Sequence, residues 1–183
     1  MATPTMTPID RSGQSNLPQG TEQAHTLIIK VEDRPGAVDR VIGLLRRRRA
    51  NMQTFVLGHS EQPEIVRITV LVNDSEVALE HLVEQMRKIV DVQQVTKLVS
   101  SQTVAREIAL IKLNSTYDNV QEIVEQAHLF GAHVVDMTPE TVTVEVTGSE
   151  EKIEKLLALL RGYGIREIAR SGRVAMARGA GEE

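Results

Sequence analysis

The fold of this chain is decided by one stretch of sequence, His25-Thr-Leu-Ile-Ile-Lys-Val-Glu-Asp-Arg-Pro-Gly-Ala-Val-Asp-Arg-Val-Ile-Gly-Leu-Leu45. Its first part is apolar and β-branched, which predicts a β-strand over residues 26–32. A Pro-Gly turn follows. From Val38 to Leu45, apolar residues then recur at the i, i+3, i+4 and i+7 spacing of an amphipathic helix. The stretch therefore predicts a strand that passes through a tight turn directly into a helix.

This junction is suited to binding a small carboxylate. The first backbone N–H groups of a helix have no partner within it, and the helix dipole favours negative charge at that end. Pro35 suits a helix entry because its φ is fixed and it has no N–H, and Gly36 has no Cβ to block a ligand. We therefore predict that the N–H groups of Gly36, Ala37 and Val38 hold a carboxylate. The stretch carries no catalytic side chain, which favours sensing over chemistry.

An amino-acid ligand would also need an acceptor for its ammonium group. Asp33 at the strand end could supply one, and Asn51 at the start of the next strand could supply another, within the chain or across a dimer interface. The apolar residues that would suit an aliphatic ligand side chain are Ile42, Met52 and Leu57. The alternative is that Asp33 only caps the helix and Gly36 only eases the turn. The geometry of the motif does not decide between these two interpretations.

The same organisation extends along the chain. Three further segments have helical spacing, and seven more runs have strand character over 52–58, 65–72, 92–99, 106–113, 132–137, 141–147 and 165–170. Their order predicts an α+β fold of two tandem ferredoxin-like βαββαβ units, each an antiparallel sheet with helices on one face. We place the units at residues 25–99 and 103–178, between a disordered tail at 1–24 and a frayed tail at 179–183. Strand-edge pairing between two copies would give a homodimer.

Composition excludes several classes of function. The chain has 183 residues, no cysteine and a net charge of -4, so disulfides, thiolate chemistry and a generally basic nucleic-acid surface are all disfavoured. Successive arginines at 46–49 point about 100° apart on a helix, so they favour a structural or partner-contact role. We find no metal-ligand spacing, phosphate loop, nucleophile elbow or membrane span, and therefore expect a non-catalytic cytoplasmic protein that binds no metal, nucleic acid or membrane.

The pattern from Leu27 to Leu45, followed by Asn51-Met-Gln-Thr, resembles the first ACT domain of acetohydroxyacid synthase (acetolactate synthase) regulatory small subunits. The residues that match the family pattern are Glu32, Gly36, Arg40, Val41, Gly43, Leu44, Arg47, Arg48 and Asn51. Further similarities are Asp91-Val92 with Val95, Arg106-Glu-Ile-Ala-Leu-Ile-Lys112, Val135-Asp-Met-Thr-Pro139 and Ala169-Arg-Ser-Gly172. Two positions differ, since the family usually has Asn in place of Asp33 and Gly in place of Arg49.

The resemblance implies a regulatory subunit without catalysis of its own. Such subunits bind and activate a large catalytic subunit and confer feedback inhibition by valine or another branched-chain amino acid. The effector sits between the ACT domains of a dimer, so that Gly36, Ala37 and Val38 would hold its carboxylate. Asp33 and the Asn51 of a second copy would bind its ammonium group, with Met52 near its side chain.

The resemblance also implies that thiamine diphosphate, Mg²⁺ and FAD belong to the catalytic partner, with no cofactor on this chain. The competing hypothesis is a stand-alone ACT-domain transcription regulator that responds to an amino acid. Such a protein would need a DNA-reading element, and the sequence shows neither a helix-turn-helix signal nor a basic face.

Overall fold

The computed structural model describes residues 23–179. It contains two α+β units in tandem, which confirms the predicted fold class. The elements of the first unit are β1 (Gln23–Glu32), α1 (Ala37–Arg47), β2 (Met52–His59), β3 (Ile65–Asp74), α2 (Glu76–Met86) and β4 (Val92–Leu98). Those of the second unit are β5 (Thr103–Asn114), α3 (Val120–Leu129), β6 (His133–Met137), β7 (Thr141–Gly148), α4 (Glu150–Leu160), β8 (Ile165–Arg170) and β9 (Val174–Ala177).

The start of β1 corrects one predicted boundary. Gln23 and Ala24 were predicted to end the tail, yet they lie in β1, where they pair with Asp74 and Asn73 of β3. Backbone pairing extends this strand past the apolar pattern on which the prediction depended. The rest of the predicted tails, residues 1–22 and 180–183, lie outside the described residues. A short 3-10 turn, Ser100–Gln102, falls within the interruption predicted between the units.

Both sheets have the same antiparallel topology. The strand order is β2-β3-β1-β4 in the first unit and β6-β7-β5-β8 in the second. Alternate residues of each strand face the helices and form the core, such as Leu27, Ile29 and Val31 on β1. The central strand of the second unit contributes Ala109, Ile111 and Leu113 in the same way. Each core is aliphatic, as a chain with only 2% aromatic residues requires.

The strand β9 was not predicted. It has only four residues, too few for an alternating pattern to stand out, and it pairs with the first part of β5. This short ribbon lies against the face of the first sheet that carries no helix, where Ala175 packs with Ile28 and Leu98. Ile28 is only 1% exposed, although it points away from the helices. The chain itself therefore covers part of the face that a one-sided sheet leaves open.

The end of α1 shows why Arg49 can replace the usual glycine. Arg49 donates its N–H to Arg46 at 3.0 Å and Ala50 donates to Leu45 at 3.1 Å, the bond pair of a Schellman motif. This motif places Arg49 at φ 53°, in the left-handed region that glycine adopts most easily. The helix α1 therefore ends at the position where the family usually has glycine, and Arg49 carries the backbone strain.

We expect Arg49→Gly to stabilise the protein by about 0.5–1 kcal/mol, because glycine relieves the strain but gains unfolded-state entropy. Urea unfolding followed by circular dichroism would measure this. The matched control is Arg49→Ala, which removes the same charge but keeps a Cβ, and should give no stabilisation. A larger gain for alanine than for glycine would contradict the assignment of strain to the backbone.

Candidate functional site

The β1–α1 junction is built almost entirely from backbone groups. Asp33 donates its N–H to the carbonyl of Glu64 at 2.8 Å, which continues the pairing of β1 with β3. Arg34 then donates to Glu32 at 2.9 Å, which closes the turn before Pro35. Gly36 is the N-cap of α1 with φ 83°, and no side chain among residues 23–179 caps the helix. The alternative in which Asp33 caps α1 is therefore wrong, whereas the turn does require the conformation that glycine supplies.

Two of the three predicted carboxylate donors are available. Within residues 23–179, no hydrogen bond engages the N–H of Gly36 or of Val38. The N–H of Ala37 instead donates to the carbonyl of Arg34 at 3.1 Å, and Ala37 is completely buried. The junction thus presents two free amides at the positive end of the helix dipole, with a third amide that holds the turn in shape.

The other residues predicted to bind the effector are divided between the two ends of α1. Asp33 is exposed next to Gly36 and lines a polar groove of about 410 Å³ with Glu32 and Glu64. Asn51 and Met52 lie beyond the other end of α1, which at 1.5 Å per residue is roughly 16 Å long. One chain therefore brings Asp33, Gly36 and Val38 together but keeps Asn51 and Met52 apart from them. A site that used both groups would have to be completed by a second copy.

The strand that carries Met52 is placed to meet a second copy. β2 is the outer strand of its sheet, so one of its two backbone edges has no partner strand among the described residues. Met52 is 41% exposed and Leu57 is 50% exposed, and from the described residues the side-chain oxygen of Asn51 accepts one bond, from Gln53 at 2.9 Å. An open edge with exposed apolar side chains is typical of a strand that pairs with another chain.

An ion pair fixes the start of α1. Arg40, in its first turns, donates through Nε to Asp91 Oδ2 at 2.5 Å, and the backbone carbonyl of Asp91 accepts from Glu32 at 2.9 Å. Asp91 thereby holds both the helix start and the end of β1. Its side chain is only 5% exposed, and the hydrogen bond from Arg40 holds the pKa of Asp91 below its ordinary value. Arg40 and Asp91 both match the family pattern, but the sequence analysis assigned neither of them a role.

A second cleft lies between the two units and was missed by the sequence analysis. Its volume is about 600 Å³, and Phe55 and Leu71 form an apolar part of its wall. Its four charged side chains form two ion pairs, Arg170 with Glu107 and Arg173 with Glu150. Among residues 23–179, no group of three or more acidic, histidine or cysteine side chains could hold a metal ion. No helix in that range is long and apolar enough to cross a membrane.

The fold and the junction together define a protein of the ACT-domain class. Residues 27–94 match the family model described as the AHAS small subunit-like ACT domain. Residues 106–179 match the model described as the small subunit of acetolactate synthase. The chain belongs to the acetolactate synthase small subunit family.

The similarity to individual relatives extends over most of this chain and over most of each relative. The chain is 41% identical over 155 residues to an acetolactate synthase small subunit of Mycolicibacterium smegmatis, covering 85% of this chain and 91% of the relative. It is 39% identical over 157 residues to a probable acetolactate synthase small subunit of Methanothermobacter thermautotrophicus, covering 85% and 94%. The crystal structure of the small subunit from Thermotoga maritima superposes with a TM-score of 0.80 at 32% identity, covering 86% and 98%. Membership of this family supports a regulatory role and implies a catalytic large subunit as partner.

We expect Asp91→Asn to lower the midpoint of thermal unfolding at pH 7, because Arg40 loses its carboxylate partner. A carboxylate whose pKa is depressed in the folded state stabilises the protein above its unfolded pKa, and this contribution is lost as pH falls through the folded value. The difference in midpoint between wild type and variant should therefore shrink as pH falls below about 4.

Thermal unfolding followed by circular dichroism between pH 7 and 3 would measure that difference. The control is Asp118→Asn, which removes an exposed carboxylate of the second unit and should change the midpoint little at any pH. If the difference in midpoint between wild type and Asp91→Asn stayed constant down to pH 3, the ion pair would not be the cause of that difference.

Proposed function

We propose that this chain activates the catalytic large subunit of acetolactate synthase and makes it sensitive to feedback inhibition by valine or another branched-chain amino acid. The observation that carries the proposal is the pair of free amides at Gly36 and Val38, next to the exposed carboxylate of Asp33. These groups complement an α-amino acid, because the amides would bind its carboxylate and Asp33 would accept bonds from its ammonium group.

The amino acid would sit between two copies of the chain. The Gly36 and Val38 amides of one copy would face Asn51 and Met52 of the other, after the copies paired along the open edge of β2. Ala37 would contribute indirectly, since its own N–H already fixes the turn by its bond to Arg34. A homodimer would then contain two equivalent effector sites related by a two-fold axis.

The proposal assigns the chemistry to the partner. Thiamine diphosphate, Mg²⁺ and FAD would be bound by the large subunit, and the complex would work in the cytoplasm. Valine would act by favouring one arrangement of the dimer, to which the bound large subunit responds. A coupling free energy of about 1–3 kcal/mol would be enough, and it corresponds to a 5- to 150-fold effect.

The direct test is acetolactate formation by the cognate large subunit, with and without this chain, across separate titrations of valine, leucine and isoleucine. We expect the chain to raise the rate and at least one of these amino acids to reverse the increase. An unchanged rate in the presence of the chain would refute the proposal. Activation without an effect of any of the three would refute the effector half of it.

Gly36→Asp should abolish inhibition and leave activation intact, because it places a carboxylate where that of the effector belongs. Gly36→Ala introduces backbone strain at φ 83° as well but adds no carboxylate, and its Cβ would be 3.8 Å from Arg40, so it should weaken inhibition less. The control for added charge is Gly162→Asp, in the second unit, where a Cβ meets nothing within 4 Å. Loss of activation together with inhibition in Gly36→Asp would show instead that the fold or the subunit contact was broken.

A shared site can be tested by mixing two defective variants. Gly36→Asp damages the amide half of a site, and Asn51→Ala damages the other half. If the two halves come from different copies, a hybrid dimer of these variants keeps one intact site, so co-refolding them should restore part of the inhibition that each variant alone has lost. If each site lies within one chain, the mixture should be as insensitive to the effector as the separate variants.

A further inference from the structure

One segment of the second unit connects the two units, and nothing above gives it a function. We call residues 171–177 the interdomain segment. It consists of the loop Ser171–Arg173, which follows β8, and of β9. Part of it belongs to the stretch Ala169-Arg-Ser-Gly172, which resembles the family pattern but has no evident chemistry of its own.

The segment is fixed firmly to the second unit. The N–H of Ser171 donates to the carbonyl of Ile108 at 3.0 Å, and the N–H of Ile108 donates back to Ser171 Oγ at 3.1 Å. Arg173 donates through Nη2 to Glu150 Oε2 at 2.6 Å, in the first turn of α4. With β9 paired to β5, these bonds make the segment move with the second unit.

The same segment lies directly on the first unit. Arg173 Nη1 is 3.5 Å from Thr26 Oγ1 on β1, and Arg67 Nη2 donates to the carbonyl of Ala175 at 2.9 Å. Gly172 is packed so closely on β2 that an added Cβ would lie 2.9 Å from Val56 Cγ2 and 3.4 Å from Thr54 Cβ. A movement of β2 towards this loop therefore cannot be absorbed at the contact and has to displace the loop.

We propose that the interdomain segment couples the position of β2 to the second unit through the contact of Gly172 with Val56 and Thr54. β2 begins with Met52, directly after Asn51, so these contacts lie only a few residues from the half of the site that a second copy would supply. This inference rests on the proposed function, because it states how effector occupancy of the first unit reaches the rest of the subunit.

An unsatisfied polar group gives the contact between Gly172 and β2 a physical reason to adopt a second arrangement. The hydroxyl of Thr54 is buried there without a hydrogen-bond partner among the described residues, which costs free energy relative to an arrangement that satisfies it. The register of β2 against β3 also shifts between Met52 and Thr54. A bulge at this point lets the strand readjust locally when the residues before it bind a ligand.

The test uses a pair of compensating substitutions in the full chain. Val56→Ala removes the methyl groups that touch Gly172, and Gly172→Ala adds a methyl group that clashes with Val56. The double variant should restore the packing. The matched control is Gly131→Ala, because Gly131 has φ +59° and its added Cβ would meet only the flexible end of Lys152 at 3.8 Å. Gly172 has φ +78°, so both substitutions strain the backbone in the same way. Only Gly172→Ala also disturbs a contact with β2.

Two quantities are measured for each variant: the Kd for valine of the small subunit alone, by calorimetry, and the inhibition of the reconstituted complex at saturating valine. We expect each single variant to bind valine with nearly the wild-type Kd. Its inhibition at saturating valine should be at least about 5-fold weaker than that of the wild type, because 5-fold is the lower limit of a typical allosteric coupling. The double variant should regain inhibition, and Gly131→Ala should resemble the wild type.

Wild-type inhibition in Val56→Ala would overturn the coupling role, as would a double variant no better coupled than either single variant. Because Val56→Ala introduces no backbone strain, it decides the question even if Gly172→Ala unfolds. A wild-type subunit that bound none of valine, leucine and isoleucine, alone or in the reconstituted complex, would refute the effector half of the proposed function, and that failure would be visible in the wild-type measurements alone.

Discussion

An antiparallel sheet with helices on one face leaves its other face to water, and the structure of this chain depends on how that face is covered. In the first unit, Ile28 and Leu98 point away from the helices and are nonetheless buried. They are covered by Ala175 of β9, a strand that belongs to the second unit. Burial of apolar area is the main force that holds two such surfaces together. The two units are therefore joined by a shared apolar contact as well as by their connecting turn.

The candidate site follows a different principle, since its recognition groups are mainly backbone amides. Amides held by a turn and a helix need no particular side chain, so the proposed binding of a carboxylate would depend on the shape of residues 33–38. The pair of Arg40 with Asp91 maintains that shape, because it connects α1 to the end of β1 and to the start of β4. A site of this kind recognises a ligand without activating it, which agrees with membership of a family of regulatory subunits.

The sequence predicted most of this architecture because its signals are local. Apolar periodicity located all four helices and eight of the nine strands among residues 23–179, and the Pro-Gly turn located the junction. Several features escaped prediction, and three of them show the physical reasons. β9 is too short for its pattern to be visible, the Ala37 amide is engaged by a turn bond that spacing cannot reveal, and the end of α1 required a non-glycine residue to adopt a positive φ.

By itself, the sequence determined the α+β class, the repeat of two ferredoxin-like units and the glycine on which the junction depends. Each of these follows from residues close together in the chain. Only the tertiary structure decided that Arg40 pairs with Asp91, and that Gly172 rests on β2. Those relations join residues tens to more than a hundred positions apart, and they are set by how strands and helices pack, which no local pattern encodes.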